Sequence, residues 1–264
     1  MKSAGVMGWP VAHSRSPVIH RFWLEALGLD GDYGRFAVHP VNLKAAIRAL
    51  RALGLAGVNI TVPHKVMVIP HLDSLDATAR TVGAVNTVVV QAGRLHGTNT
   101  DVAGFLEPLA GTAPETALVI GAGGAARAVL VALKQLGIRQ VTLMNRSQAR
   151  AEALLAELQV PGTAIAPAAS APSVDLLVNA SSLGMAGQPP LELDLAALPA
   201  HATVYDIVYT PLETPLLAAA RARGLATLDG LAMLIGQAAK AFEHFFGQPP
   251  PRDRDPDLRR LLTA

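Results

Sequence analysis

The sequence predicts an α/β protein of two domains, and three observations carry that prediction. Apolar, β-branched runs alternate with amphipathic helical stretches along all 264 residues. A glycine-rich turn, Gly121-Ala122-Gly123-Gly124, stands between a strand-like and a helix-like segment, as in a dinucleotide-binding βαβ unit. The length is enough for one large or two ordinary domains, and 51% hydrophobic residues supply enough material for sizeable cores.

In chain order, Gly5 to Met7 reads as a strand, Pro17 to Leu27 as a helix, Tyr33 to Val38 as a strand and Leu43 to Leu53 as a helix. Gly57 to Val62 is β-branched enough for a strand but halts at Pro63 and presents His64 and Lys65. Strands at Ala84 to Gln91 and Arg94 to Thr98 flank the turn Ala92-Gly93, a hairpin signal. From Thr116 the chain reads strand (Ala117 to Ile120), glycine turn, helix (Ala125 to Gln135), strand (Gln140 to Met144) and helix (Gln148 to Gln159). Pro161 to Ser173, rich in Ala, Pro and Ser, reads as a loop with room for one short strand. Strands fit Asp175 to Asn179, Thr203 to Val208 and Leu225 to Leu228, and the last helices run from about Leu231 to Phe246 and Asp255 to Leu262.

Composition excludes several function classes. With no Cys, disulfides, Cys-ligated zinc, iron–sulfur clusters and thiol nucleophiles are ruled out. No pair among the eight His has a metal spacing, so no metal is expected. The net charge of +2 and the lack of a basic cluster interleaved with aromatics speak against nucleic acid. The start MKSAGVMGWP has no sustained apolar run, which reads as a cytoplasmic protein. The long apolar stretch Thr116 to Leu133 holds three glycines and Arg127, against a membrane span.

In LVIGAGGAARAV, Gly121, Gly123 and Ala126 occupy the G-x-G-x-x-A positions. Gly121 permits the tight turn, Gly123 lets backbone approach a pyrophosphate, and Ala126 lets helix and strand pack closely. Ala122, Gly124 and Ala125 complete the cradle at the helix N-terminus. The next strand ends in LMNRSQAR, with no acid to hold ribose hydroxyls. Asn145, Arg146, Ser147 and Arg150 offer donors instead, and a fork-shaped guanidinium suits a 2′-phosphate, so the expected cofactor is NADP.

The first hundred residues hold polar side chains at strand ends: Ser14 and Ser16, Asn59 and Thr61 beside Lys65, Asn86, and Asp101. Each alone is ordinary cap or turn chemistry. Together, at the carboxyl ends of parallel strands, they mark the place where open α/β sheets bind ligands.

The strings GWPVAHSRSP, NITVPHK, GAVNTV, NTD, IGAGGAARA, NRS, NASSLGM, DIVY and DGLAMLIGQAA, in this order and spacing, resemble the shikimate dehydrogenases across nearly the whole chain. The resemblance implies an enzyme that reversibly reduces 3-dehydroshikimate to shikimate with NADPH in aromatic amino-acid biosynthesis. It implies a discontinuous substrate domain, residues 1–101 plus 230–264, around a Rossmann-type NADP domain, residues 102–229. It places the substrate carboxylate on Ser14 and Ser16 with Thr61 and Tyr209 nearby. The ring hydroxyls would meet Lys65, Asn86, Asp101 and Gln237, with Asn59 in support. Lys65 would be the acid/base and Asp101 its orienting partner, with Met185 beside the nicotinamide and Gly230 in the cofactor set. The expected partners are small molecules alone, for a monomer or homodimer. Two positions depart from the family string: Thr98 stands where an Asp is usual and Val102 where a Gly is usual. The competing readings are a quinate/shikimate dehydrogenase and a non-catalytic NADP-binding sensor.

Overall fold

The first strand, β1 (Lys2–Gly8), is buried from Ala4 onward and pairs in parallel with β2 (Gly31–Ala37) and β3 (Gly57–Ile60). Between them, α1 (Ser16–Ala26) starts with Pro17 in its first turn and buries Ile19, His20, Trp23 and Leu24, the three-and-four spacing of one helix face. The helix α2 (Leu43–Ala52) buries Leu43, Ile47 and Leu50 by the same rule. A one-turn α3 (His64–Met67), the two-residue β4 (Ser74–Leu75) and α4 (Ala77–Val82) lead to the hairpin of β5 (Thr87–Gln91) and β6 (Arg94–Thr98). The six strands are ordered β2-β1-β3-β5-β6-β4. Because the Ala92-Gly93 turn is too short for a crossover, β5 runs antiparallel to β6, and it is antiparallel to β3 as well.

After α5 (Asp101–Leu106) a second sheet begins. Its elements are β7 (Thr116–Ile120), α6 (Gly124–Gln135), β8 (Gln140–Met144), α7 (Gln148–Leu158), β9 (Gly162–Ile165), β10 (Leu176–Asn179), β11 (Thr203–Asp206), α8 (Pro215–Ala222) and β12 (Ala226–Leu228). All five pairings are parallel, in the order β12-β11-β10-β7-β8-β9. That is the doubly wound Rossmann order, with its switch point between β7 and β10. The chain ends in α9 (Gly230–Phe246) and α10 (Asp255–Thr263).

The computed structural model describes residues 1–263, and the chain divides into two units, Met1–Gly104 with Ile235–Ala264, and Phe105–Leu234. Each has its own core: Ile47, Val58, Ile60, Val85, Val88 and Leu95 belong to the first, and Leu118, Leu177, Val204, Leu217 and Ala220 to the second. Among the described residues no helix is long and apolar enough to cross a membrane.

Three expected strands are shorter than their composition suggests. Strand β3 stops at Ile60 because His64 N–H turns back to Thr61 O at 2.9 Å, leaving Val62 67% exposed. Strand β5 starts at Thr87, and the Val85 N–H goes to Lys65 O at 2.8 Å, tying that segment to α3. Strand β11 ends at Asp206, whose side chain takes the Val208 N–H. The loop after Pro161 does contain its one short strand, β9.

Glycine at 57 is set by close packing. A Cβ there would lie 2.3 Å from Val88 O and 2.6 Å from Phe245 Cε1. Gly57→Ala is expected to destabilise the protein by about 1–3 kcal/mol, the usual scale of overpacking. A urea midpoint equal to that of the unsubstituted protein would refute that account.

Candidate active site

The polar strand ends of the first unit converge on one buried hydrogen-bond network. Lys65, on α3, donates from Nζ to Asp101 Oδ2 at 2.6 Å, with only 16% and 6% of the two side chains exposed. Asp101 begins α5, where its N–H donates to Asn99 Oδ1 at 3.0 Å. The neighbouring Asn99 side chain therefore takes the capping bond, leaving the Asp101 carboxylate for the site. Asn86 donates from Nδ2 to Asp101 Oδ1 at 2.9 Å, to Thr100 Oγ1 at 2.9 Å and toward Gln237 Oε1 at 3.5 Å. Its Oδ1 accepts the Thr100 N–H at 2.8 Å, which fixes the amide's orientation because a backbone N–H can only donate.

Asn59, at the end of β3, extends the network. Its Nδ2 donates to Asn86 O at 3.2 Å and to Thr87 Oγ1 at 2.9 Å, and Thr87 Oγ1 donates on to Asn86 Oδ1 at 3.0 Å. Asn59 Oδ1 accepts from the Tyr33 phenol at 2.6 Å. Burial pushes that phenol well above its ordinary pKa, and a hydrogen bond from Ser16 opposes the shift. Tyr33 is stacked on His20 at 3.9 Å between ring centroids, and burial lowers His20 to about 3, so this imidazole is a neutral aromatic spacer.

Ser14 lies on the segment between β1 and α1 and Ser16 opens α1, both buried. Arg35 holds the Ser14 carbonyl with Nε and one terminal nitrogen, at 3.2 and 2.8 Å, and Ser16 N–H donates to Ser14 Oγ at 3.3 Å. Thr61, after β3, packs so closely on β1 that a Cβ on Gly8 would lie 2.3 Å from its methyl. His64 is buried with Nε2 2.7 Å from Val38 O, a structural contact, while His13 is exposed. Thr98 donates its hydroxyl to Asp76 Oδ2 at 2.5 Å; a carboxylate at that position would face another. Val102 is simply buried.

The structure thus joins Asn59, Lys65, Asn86, Asp101 and Gln237, and reaches Tyr33 through Asn59. Tyr33, Thr87, Asn99 and Thr100 also belong to the network; Thr87 lies within GAVNTV and Asn99 and Thr100 within NTD, whereas no motif in the sequence marks Tyr33. Met185, Tyr209 and Gly230 belong to the second unit.

In the second unit the glycine turn follows β7. Gly121 has φ +105°, and a Cβ there would lie 3.0 Å from Ala180 O, so glycine is required. A Cβ on Gly123 would meet nothing within 4 Å, so the turn opens on free space there. The α6 N-terminus has no side-chain cap, Ala122 is almost wholly buried, and Ala126 is fully buried against the sheet. Gly124 and Ala125 form the first turn of α6, whose N–H groups are suited to an anion.

At the end of β8, Asn145 Nδ2 donates to Ser147 O at 2.9 Å, and Ser147 Oγ caps α7 by accepting the Arg150 N–H at 3.3 Å. Arg146 and Arg150 are exposed, and among the described residues neither guanidinium has a hydrogen-bond or ion partner. An open glycine cradle, an uncapped helix start and two unpaired guanidiniums fit a phosphorylated dinucleotide. Gly230 is held where a Cβ would lie 2.4 Å from Ile207 O.

Residues 6–88 match the family described as Shikimate dehydrogenase substrate binding domain, residues 107–180 Shikimate / quinate 5-dehydrogenase, and residues 230–254 Shikimate 5'-dehydrogenase C-terminal domain. The Shikimate dehydrogenase (NADP(+)) of Sphingopyxis alaskensis is 56% identical over 265 residues, which cover 99% of this chain and 97% of that protein. Among solved structures, the shikimate 5-dehydrogenase of Thermus thermophilus, in complex with NADP(H) and shikimate, has a TM-score of 0.88 at 40% identity, covering 99% of this chain and 100% of its own. The quinate dehydrogenase of Corynebacterium glutamicum, in complex with NAD, has a TM-score of 0.88 at 33% identity, covering 98% of this chain and 99% of its own.

Proposed function

Because this chain belongs to the shikimate dehydrogenase family, we propose that Lys65 and Asp101 are the pair with which it interconverts 3-dehydroshikimate and shikimate. The enzyme is an NADP-dependent oxidoreductase. The observation that carries the residue assignment is the 2.6 Å contact between Lys65 Nζ and Asp101 Oδ2 inside a buried, fully oriented network.

NADPH, when bound, supplies the hydride that adds to the ketone carbon. Negative charge then grows on the ketone oxygen, and an ammonium within hydrogen-bond reach lowers the barrier and delivers the proton. Lys65 has three N–H donors and gives one to Asp101, which leaves two for a substrate oxygen. Reduction consumes one hydride and one proton, and solvent then reprotonates Lys65. In the oxidative direction Lys65 accepts the alcohol proton as hydride leaves. Asp101 orients the ammonium and keeps spare lone pairs to accept from a ring hydroxyl.

The hydroxyls of Ser14 and Ser16, with Thr61 and Tyr209, are assigned to the substrate carboxylate. Asn86 and Gln237 are assigned to ring hydroxyls, with Asn59 in support. The turn from Gly121 to Ala125 is assigned to the pyrophosphate of the cofactor, and Asn145, Arg146, Ser147 and Arg150 to its 2′-phosphate. Met185 and Gly230 are assigned to the nicotinamide end. Domain roles follow: the first unit holds substrate, the second holds NADP.

The deciding experiment is the initial rate of NADP reduction by purified protein with shikimate, beside quinate and beside NAD. Fast turnover with shikimate and NADP alone is the expected result. Comparable rates with quinate would broaden the substrate, and NADP binding without any turnover would sink the catalytic reading.

A further inference from the structure

Two motifs carry buried polar residues that play no part in the proposed reaction. They are Asn179, which opens NASSLGM, and Asp206, which opens DIVY. Both have no exposed surface. They end the neighbouring parallel strands β10 and β11, where Asn179 is the register partner of Asp206 on one side and of Ile120 on the other. The loops that follow, 180–189 and 207–214, therefore leave the sheet next to the glycine turn, at the switch point of the second unit.

Asp206 is the centre of a three-way clasp. Its Oδ1 accepts from Asn179 Nδ2 at 2.9 Å and from Val208 N–H at 3.0 Å, and its Oδ2 accepts from the Thr214 hydroxyl at 2.7 Å. Asn179 in turn reaches into the first loop. Its Nδ2 donates to Leu183 O at 2.9 Å, and its Oδ1 accepts from Ser181 N–H at 3.1 Å and Ser181 Oγ at 2.7 Å. Ala186 N–H donates to Thr210 O at 2.8 Å, so the two loops are joined to each other as well as to the strands. Gly184 packs on Thr214, whose Cβ would be 3.6 Å from a Cβ at 184.

The chemistry of the clasp demands a carboxylate. Asn179 uses both amide hydrogens and its oxygen, and Thr214 Oγ1 already accepts the Leu217 N–H at 3.3 Å, so its proton needs an acceptor. Three donors meet at residue 206. An amide there would turn an N–H₂ group against one of them in either orientation. Burial pushes the Asp206 carboxyl above its usual value, and the hydrogen bonds from Thr214, Val208 and Asn179 act in the opposite sense.

We infer that Asp206 is a positioning residue for the nicotinamide half of the cofactor, holding the loops that carry Met185 and Tyr209 in one shape. The inference rests on the cofactor assignment proposed above. It assigns no contact between Asp206 and the cofactor itself.

The experiment separates the two halves of the ligand. Dissociation constants are measured for NADPH, by fluorescence, and for adenosine 2′,5′-bisphosphate, by calorimetry; the second probe lacks the nicotinamide half. In Asp206→Asn the NADPH constant is expected to rise about tenfold, the scale of one hydrogen bond to a charged group. The bisphosphate constant is expected to stay within about twofold, since the glycine turn and the arginines are untouched. Thr214→Val should reproduce this split and Thr214→Ser, which keeps the hydroxyl, should restore the original constants; this pair serves equally if Asp206→Asn fails to fold. An unchanged NADPH constant, or equal rises for both probes, overturns the inference. Failure of the unsubstituted protein to bind the bisphosphate overturns the cofactor assignment, and the inference with it.

Discussion

Lys65→Ala is expected to lower kcat by about 10²- to 10⁴-fold, the range for loss of a positioned acid/base. The Michaelis constant for NADP should hardly move, because the cofactor assignment lies wholly on other residues. The substitution also leaves the Asp101 carboxylate, on a side chain only 6% exposed, without its cation. Some stability is therefore lost as well, and rates are to be compared on samples with unchanged circular dichroism. Asp101→Asn keeps the size of the side chain and removes its charge, and it should lower kcat by about tenfold or more, the scale of one lost charge-assisted hydrogen bond. If the two act as a unit, the double variant should be no slower than Lys65→Ala alone, since residues in one catalytic assembly are not additive. A near-normal rate in Lys65→Ala would remove the proposed acid/base. It would also reopen the reading of this chain as a sensor that binds NADP without turnover.

Arg146→Ala is expected to raise the Michaelis constant for NADP by about 10- to 100-fold, matching the loss of one or two charge-assisted hydrogen bonds to a phosphate. NAD, which lacks the 2′-phosphate, should respond by about twofold or less, the scatter expected where no direct contact is lost. The physical ground is that among the described residues neither Arg146 nor Arg150 has an ion partner, although other arginines of the second unit, such as Arg127 with Glu157 at 2.6 Å and Arg221 with Glu213 at 2.6 Å, do. Arg150 is one helical turn further along α7, and Arg150→Ala should act in the same direction with smaller effect. Steady-state kinetics with both cofactors decide the matter: equal losses for NADP and NAD would mean the arginines support the helix start and not the phosphate.

Local chemistry was readable in one dimension. Gly121 announced a tight turn, and the structure puts it at φ +105°. Pro63 announced the end of a strand, and β3 ends three residues before it. The missing acid after β8 and the arginines that stand there were equally plain. The network behind the site was not readable, because its members are far apart along the chain. Tyr33 meets Asn59 across 26 residues, Asn59 meets Thr87 across 28, and Asn86 meets Gln237 across 151. A tyrosine in a strand of a hydrophobic core gives no sign that its hydroxyl orients an amide. Asp206 stood in a motif, yet one strand residue among apolar neighbours does not reveal that three donors will meet on it. The departure at Thr98 found its explanation only in Asp76, 22 residues away.

By itself the sequence determined the fold class, the dinucleotide turn, the preference for a phosphorylated cofactor and the identity of the Lys65 and Asp101 candidates. The first three follow from periodicity, from glycine and proline geometry and from charge, which act over a few residues, and the last from polar strand ends and the family motifs around them. Only the tertiary structure decided that β5 runs antiparallel to β3, that Asn99 takes the capping bond and frees Asp101 for Lys65, and that Asp206 clasps two loops. Those depend on which distant groups share a buried space, and there every donor must find an acceptor that the chain supplies from elsewhere.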